Sequence, residues 1–177
     1  MTLDHAKHIA QGVVHKLMPV TERCKIVGSI RRKVANPTDI DIICIAKRQP
    51  IKDLFGFTTG HAISREFIDT INKWERLKGD PQGKYTQRLI DGEKVEISIC
   101  APENWANICL IRSGDKDFSH MMVTAALKRG FQQKDGYLWK DDKLIPLFEE
   151  EEYFQILNLP FIAPEFRNKD AFKRFNS

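Results

Sequence analysis

No stretch of this sequence stays apolar for the ~20 residues that a bilayer-crossing helix needs. The opening MTLDHAKHIA lacks the basic start and hydrophobic run of a secretory leader. A soluble, non-secreted, intracellular protein is expected, with no membrane partner. The four cysteines, Cys24, Cys44, Cys100 and Cys109, form no CxxC pair. Two of them fall in strand-like runs beside isoleucine and valine, where cysteine acts as a small hydrophobe, and a reducing environment fits them best. His5 and His8 lie three apart on one helical face, yet solvated helix histidines are far commoner than metal clips, so zinc is set aside. Repeats and low-complexity tracts are also missing. What is present is ordinary globular composition, 42% hydrophobic and 29% charged over 177 residues, enough for one sizeable core or two small domains. The formal charge of +4 and pI near 8.9 admit an anionic partner without requiring one.

Ala6, Ile9, Val13 and Leu17 recur at spacings of three and four, predicting an amphipathic helix closed by Pro19. RCKIVGSI reads as a strand running into a glycine turn, RRKVANPT as a basic connector, and DIDIICIA as a central strand apolar on both faces. Ser64 can cap a helix carrying Phe67, Ile68, Ile71 and Trp74 on one stripe, before KGDPQGK breaks it. YTQRLI and EKVEISIC flank Asp91-Gly92, a strong two-residue hairpin signal. From APENWANICLI onward the pattern turns mostly helical. A helix to Ile111, a loop over Arg112 to Asp115, and a helix with Phe118, Met121, Met122 and Ala125 on one face end at Gly130. A small β element, GYLWKDDKLIPL, precedes an acidic helix start at Glu149 to Glu152 and the tail LPFIAPEFR. A boundary near residue 103 separates an α/β half from a smaller C-terminal half.

The chemistry gathers in GSIRRKVANPTDIDIIC, residues 28 to 44. An unpaired carboxylate in apolar surroundings costs several kcal/mol, so Asp39 and Asp41 at the mouth of an apolar strand call for solvation or a cation. Strand alternation turns both to one face, roughly 7 Å apart. Glu96 projects from the face of its strand opposite Val95, Ile97 and Ile99, and would meet the aspartates if the two strands adjoin. Three converging carboxylates suit two magnesium ions, which prefer hard oxygen ligands and can clamp the attacking and leaving oxygens of a phosphoryl transfer. Gly28-Ser29 can offer a phosphate an unobstructed backbone and a hydroxyl, and Arg31 and Arg32 follow. Taken singly, D-x-D is more often a solvated strand edge and surface arginines are usually just solvated; the whole set carries the nucleotide-handling reading.

Gly28-Ser29, Arg32 three residues on, and Asp39-x-Asp41 eleven residues after the glycine resemble the nucleotidyltransferase signature of family X DNA polymerases, the relatives of polymerase beta. Glu96 stands where that family carries its third catalytic aspartate, eighteen residues before Gly114 of the loop Ile111-Arg112-Ser113-Gly114-Asp115. LKRGF, GYLW and LNLPFIAPEFR resemble thumb segments in order and spacing. The resemblance runs from about residue 20 to residue 167.

It implies an α+β fold: a nucleotidyltransferase palm over 1–103, with a mixed sheet flanked by helices, and a small, mostly helical thumb over 104–177 with a short β element, like the smallest viral members. It implies that Gly28, Ser29 and Arg32 hold triphosphate oxygens. It implies that Asp39 and Asp41 bind both Mg²⁺ ions, with Mn²⁺ able to substitute, and that Glu96, the third metal-site acid, helps activate the primer 3′ hydroxyl. Arg112, Ser113, Gly114 and Ser119 bracket the incoming sugar and base. Arg31, Lys33, Lys128, Arg129, Arg167 and Lys169 are the basic candidates for DNA phosphates. The implied partners are gapped or primer-template DNA and deoxynucleoside triphosphates, and the implied state a monomer.

Three departures stand out: Ile111-Arg112 replaces an aromatic pair, Ser119 a base-contacting asparagine, and Glu96 a shorter acid. The expected activity is template-directed DNA synthesis, filling short repair gaps with low fidelity. The alternatives are nucleotidyl transfer to another acceptor (RNA, protein or a small molecule) and a catalytically inactive nucleic-acid-binding module.

Overall fold

A computed structural model of the chain describes residues 1–171. Helix α1 (Leu3–Leu17) buries Ala6, Ile9, Ala10, Val13 and Leu17 along one face. Its first turn is capped by the Thr2 side chain, which accepts from the His5 N–H, and Pro19 falls in the short 3₁₀ turn that ends it. Helix α2 (Gly28–Arg31) is a single turn and α3 (Arg65–Ile71) is capped by Ser64, whose hydroxyl accepts from Phe67 N–H.

A five-stranded sheet is built from β1 (Thr21–Ile26), β2 (Ile40–Ala46), β5 (Glu75–Gly79), β6 (Tyr85–Ile90) and β7 (Glu93–Ile99), in the order β1-β2-β7-β6-β5. Only β2 and β7 pair in parallel; the rest of the sheet is antiparallel, so it is mixed. The apolar run of β2 is explained by its two covered faces. Ile40, Ile42 and Cys44 pack with α1, α3, Val95 and Ile97. Ile43 and Ile45 pack with Val27, Cys100, Trp105 and Cys109. All four cysteines are free thiols, and burial pushes Cys24 and Cys100 up to about 12, so they act as packing groups.

The structure departs from the sequence reading in three places. The helix through Phe67 stops at Ile71, so Trp74 is not on it, and residues 75–79 form the edge strand β5. The buried Arg88 is the reason: its guanidinium donates to Trp74 O (3.3 Å), Asn72 Oδ1 (3.2 Å) and Thr86 Oγ1 (3.1 Å), pinning a turn where the stripe would have continued as helix. Residues 48–63 form a hairpin, β3 (Arg48–Lys52) with β4 (Thr58–Ile63), that the sequence reading passes over. All of β3 is exposed, so it carries no burial alternation to read. Arg112 and Ser113 extend the next helix rather than forming a loop. The Asp91-Gly92 hairpin is present as expected, with φ of +52° and +81° at the two turn residues.

Beyond the sheet, α4 (Trp105–Ser113), α5 (Lys116–Leu127), a three-stranded sheet of β8 (Phe131–Lys134), β9 (Tyr137–Lys140) and β10 (Lys143–Ile145), and α6 (Glu150–Ile156) surround a second core. That core is led by Leu110, Phe118, Met122, Tyr153, Phe154 and Leu157. Asp115 caps α5 by accepting from Phe118 N–H. No helix among the described residues is long and apolar enough to cross a membrane.

Candidate active site

The β1 strand delivers the chain to Gly28 beside the mouth of β2, where Val27 N–H donates to Asp41 O at 2.9 Å. Gly28 adopts φ +62° and lies directly against Asp41; a Cβ there would collide with the carboxylate. Glycine is thus required twice, by the left-handed backbone and by the close approach. Ser29, next in the turn, has a buried hydroxyl with no hydrogen-bond partner. A buried polar group left unpaired costs about 1–3 kcal/mol, which marks this hydroxyl as waiting for an acceptor.

Asp41 and Glu96 are register partners across the parallel β2–β7 pair, so their side chains share a face. Asp41 is pushed from 3.8 up to about 6, first by burial and then by Asp39 and Glu96, against the opposing pull of Arg112 and Arg32. Crowded carboxylates of this kind attract a cation. Each of the others has a partner: Lys94 Nζ lies 3.8 Å from Asp39 Oδ2, Gln87 donates to Glu96 Oε1 at 2.9 Å, and Arg112 lies 3.5 Å from Glu96 Oε2. Among the described residues no three acidic, histidine or cysteine side chains are gathered round one metal position in this arrangement. The donor set nevertheless fits hard divalent cations, since all three acids are oxygen ligands on neighbouring elements. Arg112 also lies 5.9 Å over the Tyr85 ring, and burial followed by the nearby Glu96 raises the Tyr85 pKa.

The remaining sequence candidates divide into four groups. Arg32 donates to the carbonyls of Ser113 (2.9 Å) and Gly114 (3.0 Å), tying the Gly-Ser turn to the end of α4. Ser119 donates to Ile111 O at 2.9 Å, and Gly114 leaves no room for a Cβ against Phe118 and Ser119. Lys33, Lys128, Arg129 and Lys169 are exposed, Lys33 in an ion pair with Glu165 at 3.2 Å and Arg129 donating to Ala125 O at 3.2 Å.

Arg31 and Arg167 are placed differently. Both converge on Glu150, which is 4% exposed: Arg31 through two bonds of 3.1 and 2.6 Å, Arg167 through one of 2.5 Å. Arg31 also donates to Ser113 Oγ, and Arg167 donates to Ile162 O and lies over the rings of Phe118, Phe154 and Phe161. These two arginines join the first half of the chain, α6 and the C-terminal tail, and their guanidiniums are engaged internally. Burial pushes Glu150 up, but Arg31 and Arg167 outweigh it and hold its carboxyl below the ordinary 4.5.

Glu150 was not singled out in the sequence, where it is one of four consecutive acids. The signal was there: Glu150 precedes Tyr153, Phe154 and Leu157 by three, four and seven residues, on the apolar stripe of α6. Gln87, Tyr85 and Lys94, the neighbours of the acids, had no such mark.

Residues 109–168 match the family described as DNA polymerase beta thumb. No curated protein matches the sequence. Solved structures do match. Leishmania infantum polymerase beta in a ternary P/T complex has a TM-score of 0.71 at 18% identity, covering 95% of this chain and 76% of that one. The same polymerase in a ternary gap complex has a TM-score of 0.73 at 17% identity, covering 95% and 70%. At such identity the likeness is one of fold, and the fold is the mixed-sheet α+β arrangement expected from the sequence. Residues 109–168 thus match a polymerase beta thumb, and nearly the whole chain has a fold like that of polymerase beta.

Proposed function

We propose that the chain is a DNA-directed DNA polymerase that adds deoxynucleotides to a primer 3′ end, with short gaps in duplex DNA as its substrate. One observation carries this reading: Asp41 and Glu96 sit in register on adjacent parallel strands, against a Gly28-Ser29 turn whose hydroxyl is buried without an acceptor. The similarity to polymerase beta in P/T and gap complexes supports DNA as the partner.

Asp39, Asp41 and Glu96 would hold two Mg²⁺, with Mn²⁺ as a substitute. When bound, the ions would bring the primer hydroxyl and the α-phosphate together and neutralise the charge that develops between them. The chain's own residues do the rest. Gly28 leaves its backbone open to triphosphate oxygens, and Ser29 donates its unpartnered hydroxyl to one of them. Arg32, fixed on the carbonyls of Ser113 and Gly114, keeps the phosphate turn and the loop that brackets the sugar in one frame. Arg112 would face the nucleotide from the end of α4, where Ser113 is buried and takes Arg31 on its hydroxyl, and Ser119 steadies that end through Ile111 O. Lys33, Lys128, Arg129 and Lys169 supply exposed charge for DNA phosphates, whereas Arg31 and Arg167 hold the two halves of the protein together on Glu150.

Primer extension on a gapped duplex with Mg²⁺ tests the reading. Stepwise addition directed by the template is expected. Transfer to an RNA or protein hydroxyl with none to the DNA primer would move the assignment to another acceptor, and no transfer at all would leave a binding module.

A further inference from the structure

Apart from the carboxylate site, the most unusual surface is the tip of the β3–β4 hairpin. Leu54, Phe55 and Phe57 are 101%, 85% and 70% exposed, the three most exposed large hydrophobic side chains among the described residues. The turn that carries them is held in place. Asp53 Oδ1 accepts from the N–H groups of both Phe55 and Phe57 at 2.9 Å, Asp53 N–H donates to Phe57 O at 2.9 Å, and Gly56 N–H donates to Asp53 O at 3.0 Å. The phenylalanines are therefore presented by an ordered backbone, and a ligand need not supply that ordering.

Two further features say what the ligand is. First, the segment 47–65 holds Lys47, Arg48 and Lys52, besides Arg65, which pairs with Asp69 at 3.0 Å, against the single anion Asp53, whose carboxylate is occupied by the turn. Second, the root of the hairpin, at Arg48 and Ile63, lines a cavity of about 620 Å³ together with Tyr85, Ser98 and Arg112. Tyr85 and Arg112 are the neighbours of Glu96, so the hairpin rises from the rim of the space beside the acids. Exposed aromatic faces set among cations, at the mouth of such a cavity, match a polyanion that carries flat apolar rings. Bases stack on aromatic side chains whatever their sequence, and each is worth about 1–3 kcal/mol when unpaired. A folded protein would need acidic side chains ringed round an apolar patch to match both features, whereas every unpaired nucleotide brings a ring and a phosphate together.

We infer that the hairpin tip is a stacking platform for unpaired nucleotides of the strand that enters the cavity, with Phe55 and Phe57 taking base faces and Arg48 and Lys52 taking phosphates. This rests on the DNA polymerase reading and adds a contact to it: the protein grips single-stranded nucleic acid next to the duplex it extends.

Fluorescence anisotropy of the full chain at fixed salt tests the inference, with a labelled duplex carrying an unpaired template extension and the same duplex made blunt. Wild type is expected to favour the extended duplex by about tenfold, the effect of one stacked base. The Phe55→Ala/Phe57→Ala double variant should lose that preference and bind the blunt duplex unchanged, with an unaltered urea midpoint because both rings are exposed. Phe57→Trp should show emission quenched by the extended duplex and not by the blunt one. Equal binding of both duplexes by wild type, or an equal fall on both in the double variant, overturns the inference. So does a wild-type dimer that the double variant dissolves, since a second copy would then cover the tip. Failure of the hairpin alone leaves template-directed primer extension intact, whereas failure of the polymerase reading abolishes extension whatever the anisotropy shows.

Discussion

Replacing Glu150 by alanine removes the one anion that two buried guanidiniums share. Arg167 is fully buried at its side chain and Arg31 is 15% exposed, while Glu150 is 4% exposed. Deleting one partner of a buried ion pair costs about 3–5 kcal/mol, because the charge left behind has neither water nor a counterion. Here the loss falls mainly on Arg167: it keeps one carbonyl and three rings, but one of its terminal nitrogens already lacks a partner. Arg31 can reach solvent and retains Ser113. The expected destabilisation is therefore about 3–4 kcal/mol for Glu150→Ala and about half of that for Glu150→Gln, whose amide oxygen still accepts. Against total stabilities of about 5–15 kcal/mol, that is a large fraction. Urea unfolding followed by tryptophan fluorescence measures it, Trp105 being buried between the two halves under the Arg23 guanidinium at 4.4 Å. The pH dependence gives a second reading. Glu150 has its folded-state pKa held below the ordinary 4.5, so its contribution is present above about pH 4.5 and disappears as pH falls through the lower, folded value. Wild type should lose this increment in acid and the variants should not. A Glu150→Ala protein within about 1 kcal/mol of wild type would refute the reasoning, for the arginines would then have had other support.

Asp41→Asn should abolish nucleotide addition while stabilising the metal-free protein near pH 7 by up to about 3 kcal/mol. That figure corresponds to an acid raised from 3.8 to about 6, a group that lowers stability as pH rises through that window. Calorimetry at pH 4 and pH 7 should show the gain only at the higher pH. Gly28→Ala should displace the Asp41 carboxylate and lower the rate of addition at least a hundredfold, with binding of duplex DNA unchanged, as measured by single-turnover kinetics and anisotropy. DNA affinity should fall steeply between low and moderate salt, and Lys128→Ala or Lys169→Ala should each reduce the slope of log K against log salt by about one. Incorporation of matched ribo- and deoxyribonucleotides should differ little, because Ile111 and Arg112 replace a crowding aromatic pair; strong exclusion of the ribonucleotide would put the gate elsewhere.

How much of this was legible in the sequence depended on whether one residue's neighbours are local. The apolar period of α1, the double-sided run of β2 and the Asp91-Gly92 turn are local properties, and each element forms as its pattern requires. The pairing of Asp41 with Glu96 needed only that β2 and β7 adjoin, since strand alternation had already placed both acids on the proper faces. What could not be read is long-range. Arg88 stops α3 from sixteen residues away in sequence, through Asn72. Arg31 and Arg167 looked like surface charge because the acid that buries them, Glu150, is more than a hundred residues from the first. The β3–β4 hairpin escaped notice because burial alternation is the signal of a strand, and its first strand buries nothing.

The most direct test of the central claim is single-turnover nucleotide addition to a gapped duplex with Mg²⁺, measured for wild type, Glu96→Asp, Glu96→Gln and Asp41→Asn. Nucleotidyl transfer at the three acids requires an active wild type, an inactive Asp41→Asn, and a Glu96→Gln slowed by at least a hundredfold. Glu96→Asp should also fall below wild type, since the longer arm already spans to Gln87 and Arg112 across the sheet face. Wild-type rates in Glu96→Gln together with extension by Asp41→Asn would contradict the account.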